Sequence, residues 1–311
     1  MTRKIIILLL IALLGSAVPA VSTACRSKPA AGQPLRVLSV ETFLADIVQN
    51  VAGDRLIVEA LMPLGADPHS FEPTPQDVAR VAQSDVLIVN GAGFEEFLKP
   101  LLQNAGGKRL LIEAAAGLNS RIPPPGEGVS SGEAHEGDPH FWLNPLNVIR
   151  YVENIRDGLS QADLAGKESY TRNAQAYIAQ LNELDAWISG QVAQIPADRR
   201  LLVTNHESFG YFADRYELRI IGAIIPSVST SASPSAQQLA ALIDLIKASG
   251  APAIFLETGS NPQLAQQIAA ETGVKVVTDL YTHSVSAADG PAPTYIELMR
   301  YNAKQIVEAL K

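Results

Sequence analysis

From residue 35 onward, short runs rich in Val, Ile and Leu alternate with segments whose apolar residues recur every three or four positions. This alternation constrains the fold more than any other feature of the chain. The strand-like runs "LRVLSVE" (35–41), "LIVEALM" (56–62), "DVLIVNG" (85–91) and "KRLLIEAA" (108–115) are separated by "TFLADIVQNVAG", "PQDVARVAQS" and "FEEFLKPLLQNA", which carry helical spacing. "DVLIVNG" is nearly continuous in apolar residues, as a strand covered on both faces must be. The pattern predicts an α/β fold with an open, mostly parallel sheet.

Two interruptions divide the chain. Residues 119–138, "NSRIPPPGEGVSSGEAHEGD", are rich in Pro, Gly, Ser and Glu and read as a flexible acidic loop. Residues 167–195 contain no proline and keep an apolar stripe of Tyr170, Ala174, Tyr177, Ile178, Leu181, Leu184, Ile188 and Val192. A helix of that length is roughly 40 Å long, enough to cross a whole domain. Beyond it the alternation resumes with "RLLVTNH" (200–206), "LRIIGAII", "PAIFLET" and "KVVTDLY" as strands. The helix over 233–250 is expected to use Ser233 as N-cap, Pro234 as first residue and Gly250 as terminator. The reading is therefore an N-terminal α/β lobe at 35–163, a linking helix at 164–196 and a C-terminal α/β lobe at 197–311. No internal repeat stands out between the two lobes.

The first 25 residues place Arg3 and Lys4 before an apolar stretch and small residues that lead to Cys25. This is a secretory signal rather than a spanning helix. Cys25 is the single cysteine, so an exported chain of this kind has no internal disulfide framework. A lone cysteine directly after a signal resembles a bacterial lipoprotein site, although Ser22 stands where such signals usually carry Leu, Val or Ile. Residues 26–34 read as a tether. The net charge of −8 and the lack of a basic stripe exclude nucleic acid as a partner.

Of the five histidines, four fall on loops at the same kind of sheet edge: His69, His206 and His283 after strand-like runs, and His140 where the chain resumes after the Pro-rich loop. Open α/β sheets bind ligands outside the carboxyl ends of their strands. Two of the loops are built alike, "DPHSFEP" and "DPHFWLNP", each holding its histidine behind Asp-Pro with aromatics following. Proline restricts both its own φ and the residue before it, so little ordering is left for metal binding to impose. Neutral imidazole is the commonest nitrogen ligand for metals, and four ligands complete a tetrahedral zinc. His135 reads as a solvated loop residue, Glu207 as part of the first turn of the following helix, and Glu257 as either a buried carboxylate near the site or a structural one. Phe141, Trp142, Phe209, Tyr211 and Phe212 read as packing.

The segments "LGADPHSFEPTPQD", "GDPHFWLNP", "TNHESFGYFADRY", "IFLET" and "GPAPTYIELMRYN", in that order, resemble the zinc/manganese solute-binding lipoproteins of bacterial ABC importers. That family includes the adhesin lipoproteins, and the likeness runs from Pro34 to Lys311. It implies two α/β lobes joined by a rigid backbone helix, with one metal held between them and delivered to a membrane permease. It makes His69, His140 and His206 ligands. The fourth position is normally an Asp near the last strand; an ungapped count from Glu257 places it on His283, in "YTHSVS", with Asp279 as the alternative. An all-imidazole set favours zinc, while manganese prefers a carboxylate. The expected protein is a monomeric, non-enzymatic, extracytoplasmic receptor anchored by lipid on Cys25. A zinc hydrolase using three His and an open coordination position is one alternative, and an adhesin another.

Overall fold

The computed structural model describes Leu35–Ile122 and Gly137–Lys311. Its first sheet contains β1 (Val37–Ser39), β2 (Val58–Ala60), β3 (Val86–Val89) and β4 (Leu110–Glu113), all parallel, in the order β2-β1-β3-β4. The second contains β5 (Leu201–His206), β6 (Arg219–Ile225), β7 (Ala253–Glu257) and β8 (Lys275–Leu280), all parallel, in the order β6-β5-β7-β8. The two orders are the same when strands are counted within each sheet, although the sequence shows no repeat. In both sheets the order reverses between the first and third strands. At such a point the crossovers leave by opposite faces and a crevice opens at the strands' carboxyl ends.

Helices α1 (Thr42–Ala52), α2 (Pro75–Gln83) and α3 (Leu98–Ala105) serve the first sheet. Helices α4 (Pro145–Ala162) and α5 (Lys167–Val192) lead to the second sheet, which carries α6 (Gly210–Tyr216), α7 (Ala236–Ser249), α8 (Gln263–Thr272) and α9 (Tyr295–Leu310). The stripe on α5 is buried as its spacing requires: Tyr170, Ala174, Tyr177, Leu181, Leu184, Ile188 and Val192 all face inward. They join one apolar cluster that runs from Val37 and Phe43, through α4 and α5, to Phe255, Leu280 and Tyr295. Both sheets thus share a core, and Leu35–Lys311 form one compact unit. Among the described residues, no helix is long and apolar enough to cross a membrane.

Several local expectations shift. Helix α7 begins at Ala236, not Pro234, because Ser235 and Gln238 close a capping box: Ser235 Oγ accepts from Gln238 N and Gln238 Oε1 accepts from Ser235 N. Gly250 ends it in the left-handed conformation, φ +70°. Glu207 lies in a turn before α6 rather than in its first turn. Its N–H is engaged by Ser227 O and that of Ser208 by His206 O, so the helix starts only at Gly210. The helix expected over 94–105 starts at Leu98, because the residues before it are spent on turns: Phe94 N donates to Gly91 O and Leu98 N to Glu95 O. Cys25 and His135 lie outside the described residues.

Candidate metal centre

Each sheet contributes its switch-point edge to one buried site. His206 is the last residue of β5 and Glu257 the last of β7. His69 follows β2, His140 precedes α4, and His283 follows β8. The Asp-Pro-His turns repeat at the backbone as well as in sequence. Asp67 Oδ1 accepts from His69 N at 3.0 Å and Asp138 Oδ1 from His140 N at 2.9 Å. An aspartate that binds the backbone two residues on closes such a turn, and the proline between fixes its φ. This is the physical reason for the shared "DPH".

His69, His140, His206 and His283 are all buried, and one potential ligand atom from each lies within 4.8 Å of the others. The ring nitrogens that face one another are Nε2. His140 Nε2 and His206 Nε2 stand 3.2 Å apart, while the Nε2 atoms of His69 and His283 are buried without a hydrogen-bond partner. A tetrahedral zinc with bonds of about 2.0–2.1 Å sets its donors roughly 3.3 Å apart, so the closest pair is already at that spacing. Buried polar atoms are rarely left without a partner. Two unsatisfied nitrogens aimed at the same point as a third and fourth mark a place for an electron-pair acceptor.

Three of the Nδ1 atoms face carboxylates. His140 Nδ1 meets Asp138 Oδ1 at 2.8 Å, and His206 Nδ1 meets Glu257 Oε1 at 2.5 Å. His283 Nδ1 lies 3.5 Å from Glu257 Oε2 and 3.9 Å from Asp67 Oδ1. An ionised carboxylate only accepts, so His206 Nδ1, facing Glu257, carries its proton and Nε2 presents its lone pair inward; His140 takes the same tautomer once Asp138 has lost its own proton. Glu257 is fixed in turn by Thr282 Oγ1, which donates to Oε2 at 2.5 Å. Aromatic rings wall the site: Phe94 meets His69 edge-on at 5.1 Å, and Trp142 lies 5.3 Å from His140.

The electrostatics favour neutral imidazoles. Burial drives His69 down to about 2, with the neighbouring His283 and His206 adding to it, and takes His283 to about 4 against the pull of Glu257. Burial, then the three other imidazoles, holds His140 well below its ordinary value. His206 behaves oppositely. Burial works against its charged form, but the charge and hydrogen bond of Glu257 outweigh this and raise it. Glu257 is lowered to about 2 by the same pairing, although burial opposes it. Burial pushes Asp138 up to about 7, moderated by the His140 N–H and Arg121.

The structure thus brings together His69, His140, His206 and His283. Asp279 is not among them: it lies in β8, four residues earlier, exposed and with φ +74°. Its side chain accepts from Thr278 Oγ1 at 2.8 Å. Sequence reasoning undervalued three carboxylates. Asp67 and Asp138 are visible as the first letter of "DPH", where the sequence suggests rigidity alone. For Glu257 the sequence does not choose between a role near the site and a structural one. The usable signal was its position at a strand's carboxyl end beside the strand that ends in His206.

A family model described as "ZnuA: Zinc-uptake complex component A periplasmic" matches residues 37–309. The chain is 33% identical over 279 residues to the manganese-binding lipoprotein MntA of Halalkalibacterium halodurans, covering 90% of this chain and 89% of that one. It is 33% identical over 273 residues to the iron-binding protein YfeA of Yersinia pestis, covering 88% and 85%. Among solved structures, the periplasmic zinc binding protein TroA from Treponema pallidum superposes with a TM-score of 0.79 at 27% identity, over 89% of this chain and 99% of that one.

Proposed function

The chain belongs to the family of periplasmic zinc-uptake component A proteins, and on that footing we propose that it captures zinc(II) outside the cytoplasm and hands it to the membrane permease of an ABC importer. His69, His140, His206 and His283 are the four ligands in this reading, each through Nε2. The observation that carries it is the donor set: four buried imidazoles converge, and in His140, His206 and His283 it is the Nδ1 side, not the Nε2 side, that faces a carboxylate. Manganese prefers oxygen donors, while imidazole suits zinc. The relatives named above bind manganese, iron or zinc, so the family alone does not choose the metal.

Four protein donors close a tetrahedral ion, whereas a catalytic zinc keeps a position open for water. The arrangement therefore suits carriage rather than hydrolysis, in keeping with relatives that are named as binding proteins. Lipid on Cys25 tethers the mature chain to the membrane surface in this reading, as the name lipoprotein implies for the MntA relative. The receptor acts as a monomer, since the whole metal site is built from one chain.

Competitive titration of the metal-free mature protein against a chromogenic chelator tests the assignment. Zinc is expected to bind at least about a hundredfold more tightly than manganese, with one ion per chain. Tighter binding of manganese would overturn the choice of metal.

A further inference from the structure

A cavity of about 440 Å³ opens at the carboxyl edge of the second sheet, directly beside the metal centre. Of the four clustered imidazoles only His283 lines it; Asp67, Glu257, Thr230, Gln267 and Ser260 are among its other walls. His140 and His206 are wholly buried, and His69 is nearly so. The cavity therefore meets the cluster on the face of His283.

The lining is one-signed. It carries two carboxylates, Asp67 and Glu257, and neither Lys nor Arg appears among the residues described there. A cleft of one charge with apolar walls concentrates ions of the opposite sign and speeds their arrival. The two carboxylates sit at different depths. Glu257 is buried and engaged by His206 and Thr282, whereas the side chain of Asp67 is 35% exposed. Asp67 is also held in place: Thr230 Oγ1 donates to its Oδ2 at 2.5 Å, and its Oδ1 faces His283 Nδ1 at 3.9 Å. Ser231 Oγ, donating to His69 O at 2.9 Å, fastens the same serine-rich segment to the His69 turn.

We propose that this cavity is the route by which the metal enters and leaves, that Asp67 is the carboxylate that first draws the hydrated cation from water, and that His283 is the last imidazole to bind and the first to let go. The proposal rests on the four-imidazole reading above. Asp67 acts as a positioning residue on the path and is not one of the final ligands. His283 suits the terminal step because it lies on a stretch without helix or strand between β8 and α9, with a ring that faces both the cavity and the cluster.

Stopped-flow zinc association, with dissociation followed by a chelator chase, tests this on the full mature chain. Asp67→Asn is expected to lower the association rate constant about three- to tenfold and to flatten its dependence on ionic strength, because a screened attraction has been removed. Gln267→Trp, on the exposed face of α8 at the cavity rim, and Ser260→Trp, in the turn after β7, should each slow association and dissociation together by about tenfold. The ratio of the two rates should change little, since an obstruction on a path acts in both directions. Wild-type rates in all three variants would overturn the route. So would an Asp67→Asn variant that only hastens dissociation, because Asp67 would then serve the bound state alone. Failure of the ligand reading shows separately: His140→Ala would then bind zinc as tightly as the unaltered chain, whatever the cavity variants do.

Discussion

His283 and Asp279 stand four residues apart, yet only one of them faces the site. A β-strand alternates its side chains between faces, and Asp279 departs from that alternation at φ +74°, which leaves its carboxylate in solvent. His283→Ala should weaken zinc binding at least about tenfold, since losing even a residue that only orients a ligand typically costs that much, while Asp279→Ala should leave it within about twofold. The reverse ranking in a competitive titration would show that the carboxylate reaches the metal. Acid should release the metal in a restricted way. Metal binding requires neutral imidazole, so only groups protonated in the metal-free protein compete. His206, raised by Glu257, and Asp138, at about 7, are such groups, while His69 at about 2, His283 at about 4 and the lowered His140 are already neutral. Between pH 5 and 6.5 the affinity should therefore fall by about ten- to a hundredfold per pH unit, one to two protons per ion, rather than the four that unperturbed imidazoles would take up. A slope near four in titrations across that range would refute the buried, neutral picture. The sequence alone suggests a fall beginning near the ordinary histidine value; burial and Glu257, both products of tertiary structure, split that single step.

At the scale of elements, what the chain states locally is legible and what it states through space is not. The strands, the proline-free α5 and the Gly250 terminus follow from periodicity and backbone chemistry within a few residues. The start of α7 was misplaced because Ser233 and Ser235 both suit an N-cap, and the reciprocal partner Gln238 decides between them. The site histidines were legible because His206 and His283 follow strand ends and His69 and His140 share the Asp-Pro-His turn. The pairing of Glu257 with His206 was not, since it joins residues 51 positions apart. A second such pairing lies under the site. Glu95, in the turn after β3, accepts from Asn90 N at 2.5 Å and Gly91 N at 3.1 Å. Burial drives it up to about 7, and burial together with Glu95 raises its neighbour Glu41. Asn90 Nδ2 in turn donates to Pro139 O at 3.1 Å, so this turn supports the peptide just before His140. A carboxyl whose folded value is raised adds stability that is fully present below its unfolded value and is lost as pH rises through the folded one. Glu95 should thus favour the fold near pH 4.5 and progressively cease to do so up to about pH 7. Glu95→Gln cannot ionise, so its melting temperature relative to the unaltered metal-free protein should climb between pH 5 and 8. A difference that stays flat across that range by calorimetry would show that Glu95 is ionised in the fold throughout.

At the scale of the whole molecule, the question is how a receptor with two sheets moves when it loads. Helix α5 spans 26 residues without proline, and its one glycine, Gly190, is two residues from the end. Hinges need a few positions that absorb changes of φ and ψ, and this helix offers none along its length. The joint is also apolar and bonded. The apolar cluster passes from one sheet to the other without a break. Trp142 Nε1 donates to Thr282 O at 2.8 Å, Tyr295 Oη to Trp142 O at 2.6 Å, and Gly65 N to Ser284 Oγ at 2.9 Å. Opening the lobes widely would expose that core and break these bonds together, a cost that the metal's differential binding would have to offset. The site does not require it. The clustered nitrogens already lie within 4.8 Å of one another, so closing on a tetrahedral ion takes movements of at most about 1.5 Å, within reach of the His283 segment and the Asp-Pro-His turns. Loading should accordingly change side-chain positions at the site and leave the molecular envelope alone. Small-angle scattering of metal-free and zinc-loaded protein should give the same radius of gyration within error. A clear fall on loading, of the kind that accompanies hinge closure, would mean that α5 bends and that the shared core parts in the free receptor.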